Sequence, residues 1–124
     1  MDYKKIASEL FDAQENVLQI DAITTAFPEM TVKDAYRIQL ENVNRRKDRG
    51  EKVIGLKIGL TSLGMQKLLG VNEPDYGHLM DNMLLLEGEA CPAKKLLQPK
   101  VEGELAFCMK KTLKGPGVTI VDVY

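Results

Sequence analysis

Lys52-Val53-Ile54-Gly55-Leu56-Lys57-Ile58-Gly59 is the stretch on which the reading of the fold turns. It is short, β-branched and punctuated by glycine, and it predicts a strand. Everything before it is helical in pattern. Ile6, Ala7, Leu10, Phe11, Ala13 and Val17 recur near helical spacing, predicting an amphipathic helix from about Tyr3 to Val17. Ile20, Ile23 and Phe27 lead irregularly to Pro28 as a half-buried connector. Thr31 then reads as an N-cap, with Asp34 three positions on as a variant capping box, and Gly50 as the residue just past the helix end. Val32, Ala35, Tyr36, Ile38, Gln39 and Val43 give that second helix its mostly apolar stripe.

After the first strand the pattern breaks into shorter pieces. Thr61 or Ser62 can cap a brief helix closed by Gly70. From Asn72 to Pro99, prolines and glycines alternate with apolar runs such as Met83-Leu84-Leu85-Leu86, predicting short strands and loops that wrap a site. Lys100 to Met109 reads as a second clear strand. Gly115-Pro116-Gly117 forms a turn, and Val118 to Val123 reads as an exposed, unpaired strand. The fold class expected is α+β, with N-terminal helices over 1–50 leading into a mixed or antiparallel sheet over 51–124.

Composition narrows the functional classes. Seventeen basic and eighteen acidic residues among 124 leave a net charge of -1. Nucleic-acid binding is therefore not expected, because neutralising phosphates needs a basic surplus on one face. The densest basic run, Arg45-Arg46-Lys47 with Arg49, reads as a solvated helix end favoured by the helix dipole. No apolar run is long enough to cross a bilayer, and Met1 to Lys5 leads into no apolar signal-peptide core. Cys91 and Cys108 form no disulfide framework, and free thiols in a cytoplasmic protein are expected.

Three features could carry chemistry. Glu102-Gly103-Glu104 lies in the otherwise apolar run toward Leu105-Ala106-Phe107; in a strand both carboxylates project to one side. They repel each other unless a cation sits between them, and a hard divalent ion such as Mg²⁺ or Mn²⁺ suits oxygen ligands. The plain alternative is a pair of solvated carboxylates. Lys57, between Leu56 and Ile58, is a candidate for acid/base work, its plain alternative being an outward edge lysine that discourages aggregation. Asp75, in Pro74-Asp75-Tyr76-Gly77-His78, sits in a turn-like segment where it could approach Lys57 or simply bond its own backbone. His78 has no second histidine at ligand spacing and reads as structural. The spacing of Gly55, Gly59, Gly64 and Gly70 matches no phosphate-binding loop.

These segments in this order resemble a known family. Phe27-Pro28-Glu29-Met30-Thr31, Asp34-Ala35-Tyr36-Arg37-Ile38-Gln39, Gly55-Leu56-Lys57-Ile58-Gly59-Leu60-Thr61-Ser62, Pro74 to Leu79 and Pro99 to Phe107 are similar to the 2-keto-4-pentenoate hydratases. Those enzymes group with the 4-oxalocrotonate decarboxylases inside the fumarylacetoacetate hydrolase superfamily. The resemblance implies that Glu102 and Glu104 bind Mg²⁺ or Mn²⁺ and that Lys57 and Asp75 line the active site. It also implies a small 2-oxo acid substrate: 2-hydroxypenta-2,4-dienoate takes up water to give 4-hydroxy-2-oxopentanoate, in meta-cleavage degradation of aromatic compounds. The alternatives are the decarboxylase of the same family and a non-catalytic assembly module. A homo-oligomer is implied, as is association with a pathway decarboxylase or hydratase. The family is about twice this length, with a third acidic ligand expected beyond residue 124 and further strands closing the core. The chain by itself is accordingly expected to be inactive or poorly active.

Overall fold

Two capped helices form the base on which the rest is placed. The computed structural model describes residues 1–124. Helix α1, Tyr3–Glu15, begins where the Asp2 carboxylate accepts the Lys5 amide at 3.1 Å. Its buried residues Ile6, Ala7 and Phe11 recur on one face, as helical periodicity requires. A four-residue turn of helix, α2 (Ile23–Ala26), crosses to α3, Val32–Asp48. The expected Thr31–Asp34 capping box is present in both directions. Gly50, at φ 92°, takes the left-handed conformation that ends α3 at little steric cost.

Ile6, Ala7 and Ile38 make the centre of the α1–α3 contact, with Tyr3, Leu10, Ile23, Phe27 and Met30 packed around them. The basic run at the end of α3 departs from expectation. Arg46 is only 7% exposed. Its guanidinium donates to Gln14 (2.9 Å), lies 3.1 Å from Glu51 and 3.5 Å from Glu15, and covers the Phe11 ring at 5.0 Å. A long side chain with an apolar stem closes the core while its head finds acidic partners. The run therefore clamps the end of α3 to α1 and to the residue that leads into the first strand.

Strand β1, Val53–Gly59, and strand β2, Asp75–Met80, pair antiparallel in a two-stranded sheet. Leu56 lies opposite His78, Lys57 opposite Gly77, and Gly59 opposite Asp75, with an irregularity between Val53 and Gly55. Helix α4, Leu63–Leu69, fills the connection and ends at Gly70 in the left-handed region. Leu60 also has positive φ (55°), and the buried Gln66 amide holds its carbonyl at 2.7 Å. At the other end Lys52 and Asp81 exchange hydrogen bonds and close the hairpin.

Four local expectations fail beyond β1. Asp75 opens a strand, not a turn, because its segment finds a ladder partner in β1. Met83 to Leu86 forms the end of a 3₁₀ turn (Asp81–Met83) and irregular chain, with no strand. Lys100 to Met109 is irregular and exposed, with Val101 at 99%. Its alternating composition has no neighbouring strand to bond, and a strand without a ladder is not stable in water. Val118 to Val123 is also no strand: Thr119 and Asp122 form a capping box, and Ile120–Val123 is a helical turn, α5. The strand edge expected there for pairing with another chain is thus absent. No helix is long and apolar enough to cross a membrane.

Candidate active site

The hairpin has two unlike faces. Side chains of directly paired residues share a face, and alternation carries that along each strand. Tyr76 and His78 face α3. The Tyr76 ring stacks on Tyr36 with centroids 4.6 Å apart, and its amide donates to the Tyr36 hydroxyl at 3.2 Å. Gln39 donates to the Tyr76 carbonyl, and its side-chain oxygen stands 3.0 Å from His78 Nδ1. Tyr36 and Gln39 therefore fix the hairpin on α3. The sequence offered them only as parts of an apolar stripe, although a tyrosine and a glutamine within it signal polar work for that face. His78 thus lies on the α3 face of the hairpin, in contact with Gln39.

The opposite face carries the candidate chemistry. Lys57 shares it with Gly55, Gly59 and Gly77, and with Asp75, which pairs with Gly59. Lys57 and Asp75 are thus diagonal neighbours across the ladder, a relation that brings long side chains into reach of one another. Gly59 has a specific role here. A Cβ at this position would overlap Asp75 Oδ1, so the missing side chain makes room for the carboxylate. A Cβ at Gly77, by contrast, would meet nothing within 4 Å.

Glu102 and Glu104 reach this face although their segment is not a strand. Glu102 Oε2 lies 3.6 Å and Glu104 Oε1 3.7 Å from Lys57 Nζ. The structure thus brings Lys57, Glu102 and Glu104 together, with Asp75 on the same face of the hairpin. One ammonium thus pairs with both carboxylates. No three acidic, histidine or cysteine side chains converge as a ready metal cage. A cavity of about 440 Å³ lies on the α3 side, lined by Leu10, Ile38, Asn42, His78 and Met80 among others. It contains none of the four candidates and lends them no support.

No family model matches the chain. Individual relatives do. The 2-hydroxypent-2,4-dienoate hydratase of Pseudomonas putida is 46% identical over 120 residues, covering 96% of this chain and 54% of its own length. The 2-hydroxyhexa-2,4-dienoate hydratase of Comamonas testosteroni is 47% identical over 116 residues, covering 92% and 44%. The 4-oxalocrotonate decarboxylase from Pseudomonas putida G7, solved with calcium and acetate and again with magnesium and adipate, is 42% identical with a TM-score of 0.63. That match covers 64% of this chain and 31% of the calcium-bound chain. The chain is homologous to these hydratases and decarboxylases. It spans about half the length of the hydratases it matches. The similarity extends along nearly the whole of this sequence.

Proposed function

We infer that this polypeptide supplies the early part of the active site of a divalent-metal-dependent hydratase with a fumarylacetoacetate-hydrolase-like fold. The substrate is 2-hydroxypenta-2,4-dienoate, and the product 4-hydroxy-2-oxopentanoate. The observation that carries this reading is the gathering of Lys57, Glu102 and Glu104, with Asp75, on one face of a glycine-lined hairpin. Homology to hydratases supports it, and the magnesium and calcium in the solved decarboxylase support a hard divalent cofactor.

The donor set fits such an ion. Glu102 and Glu104 offer oxygen ligands and already share a cation. When bound, the metal would supply Lewis-acid polarisation of the substrate's carboxylate and 2-oxo oxygens. The chain's own groups move the protons. Removal of the 2-hydroxyl proton and delivery of one to C5 turn the dienol into the 3,4-unsaturated 2-oxo acid. Water then adds with oxygen to C4 and hydrogen to C3. Asp75 is the acceptor and Lys57 the donor, a carboxylate and an ammonium carried on one face of the hairpin. The glycines on this face leave room for a flat, conjugated substrate over the strands.

Two features support assembly with further polypeptide, whether a second copy or a pathway enzyme. The chain exposes 10646 Å², against about 6,700 Å² for a compact protein of its mass. Leu56, Ile58, Leu84, Leu105 and Phe107 are among its exposed apolar residues.

The test is a lyase assay with Mg²⁺ or Mn²⁺ that follows loss of dienol absorbance. It is run on this polypeptide and on one extended to the relatives' length. We expect turnover in the extended protein, lost in Glu104→Ala. Turnover of 4-oxalocrotonate with CO₂ release, in place of dienol hydration, would shift the assignment to the decarboxylase represented by the solved neighbour. Turnover of neither substrate sinks the reading.

A further inference from the structure

The ammonium of Lys57 lies within ion-pair distance of both Glu102 and Glu104. Its distances of 3.6 and 3.7 Å are those of ion pairs rather than tight hydrogen bonds. The three side chains remain 48%, 68% and 60% exposed, so water competes at every atom and the contact exchanges readily. Lys57 also has somewhere to go. Gly77, directly opposite on the same face, leaves open space where a side chain would otherwise stand, and Asp75 lies diagonally beyond.

We propose that Lys57 is an exchangeable counter-cation for Glu102 and Glu104: it holds the two carboxylates together while no metal is bound, and a divalent ion displaces it across Gly77 toward Asp75. The inference rests on the reading of Glu102 and Glu104 as metal ligands. An ammonium and a divalent cation cannot share one pair of oxygens, because their mutual repulsion opposes each one's attraction to the carboxylates. Two consequences follow. The lysine keeps like charges from driving the irregular 101–109 segment off the hairpin. Metal arrival also becomes the event that frees Lys57 for proton transfer, so the donor and acceptor come together only when the cofactor is in place.

The experiment is calorimetric titration of Mg²⁺ and Mn²⁺ into the wild-type polypeptide and its Lys57→Met, Lys57→Gln and Lys57→Arg variants. Lys57 is half exposed, so these substitutions leave the core intact. Two surface ion pairs of ordinary strength correspond to roughly 2- to 30-fold in affinity. Lys57→Met and Lys57→Gln should bind metal tighter by a factor in that range, whereas Lys57→Arg should stay within about twofold of wild type. In parallel, the Lys57 Cε resonance should move on Mg²⁺ addition in wild type and stay fixed in Glu104→Gln. Metal binding that is equal or weaker in both uncharged variants overturns the counter-cation. Absence of metal binding in every variant overturns the metal reading as well, so the two failures are distinguishable.

Discussion

Arg46→Ala should cost this protein more stability than any other change in its basic cluster. The side chain is almost wholly covered, and its guanidinium meets Gln14, Glu15, Glu51 and the face of Phe11. The lost partners do not suffer equally. Glu15 is 44% exposed and keeps Arg49 at 3.3 Å, so it returns to water at little cost. Glu51 is 17% exposed and has only Arg46 as its ion-pair partner. Removing one member of a buried pair costs about 3–5 kcal/mol, and the residual exposure of Glu51 argues for the lower end. Loss of the stem from Phe11 is part of the same truncation, and the total is about 3 kcal/mol. For a domain of this size that is a large share of a stability of roughly 5–15 kcal/mol. Arg49→Ala breaks only an exposed pair and should cost less than about 1 kcal/mol. Urea unfolding followed by far-ultraviolet circular dichroism compares the two. The Arg46→Ala midpoint should fall by roughly 1–2 M with the slope unchanged. Arg46→Met with Glu51→Gln, which removes both charges and keeps the apolar cover, should recover most of the loss. If Arg46→Ala loses no more than Arg49→Ala, Arg46 is not a clamp and the burial argument fails.

Gly59→Ala places a Cβ against Asp75 Oδ1, so either the carboxylate swings away or the strands part. For the proposed hydratase reaction of the extended polypeptide we expect at least a roughly tenfold loss of kcat/KM, as small displacements of reacting groups cost that much or more; Gly77→Ala, with open space, should leave unfolding midpoints nearly unchanged. Asp34 is held at about 2, below its ordinary 3.8, chiefly by the Thr31 hydroxyl, then by the Thr31 amide and the Tyr3 hydroxyl. Its folded-state value is depressed, so its contribution is fully present above about pH 4 and is lost as pH falls toward 2. Acid titration of stability should show that loss in wild type and a flatter profile in Asp34→Asn.

The N-terminal helices were legible because their determinants are local. Caps at Asp2, Thr31 and Gly50 and the spacing of Ile6, Ala7 and Phe11 act within a turn or two, so one stretch of sequence contains both partners. β1 was legible for the same reason, through its composition. The candidate residues could be named, and homology extends along the segments that contain them, but their arrangement could not be read. That Lys57 faces Gly77 while Asp75 fills the space left by Gly59 depends on a register between segments separated by α4. Arg46 showed only charge in the sequence, and its burial needed α1 and Glu51 brought to it from either side. The misread strand from Lys100 to Met109 marks the same boundary. Alternating composition gives a segment the capacity to be a strand, but its backbone bonds must come from another chain segment. Only the tertiary structure decides whether one is there.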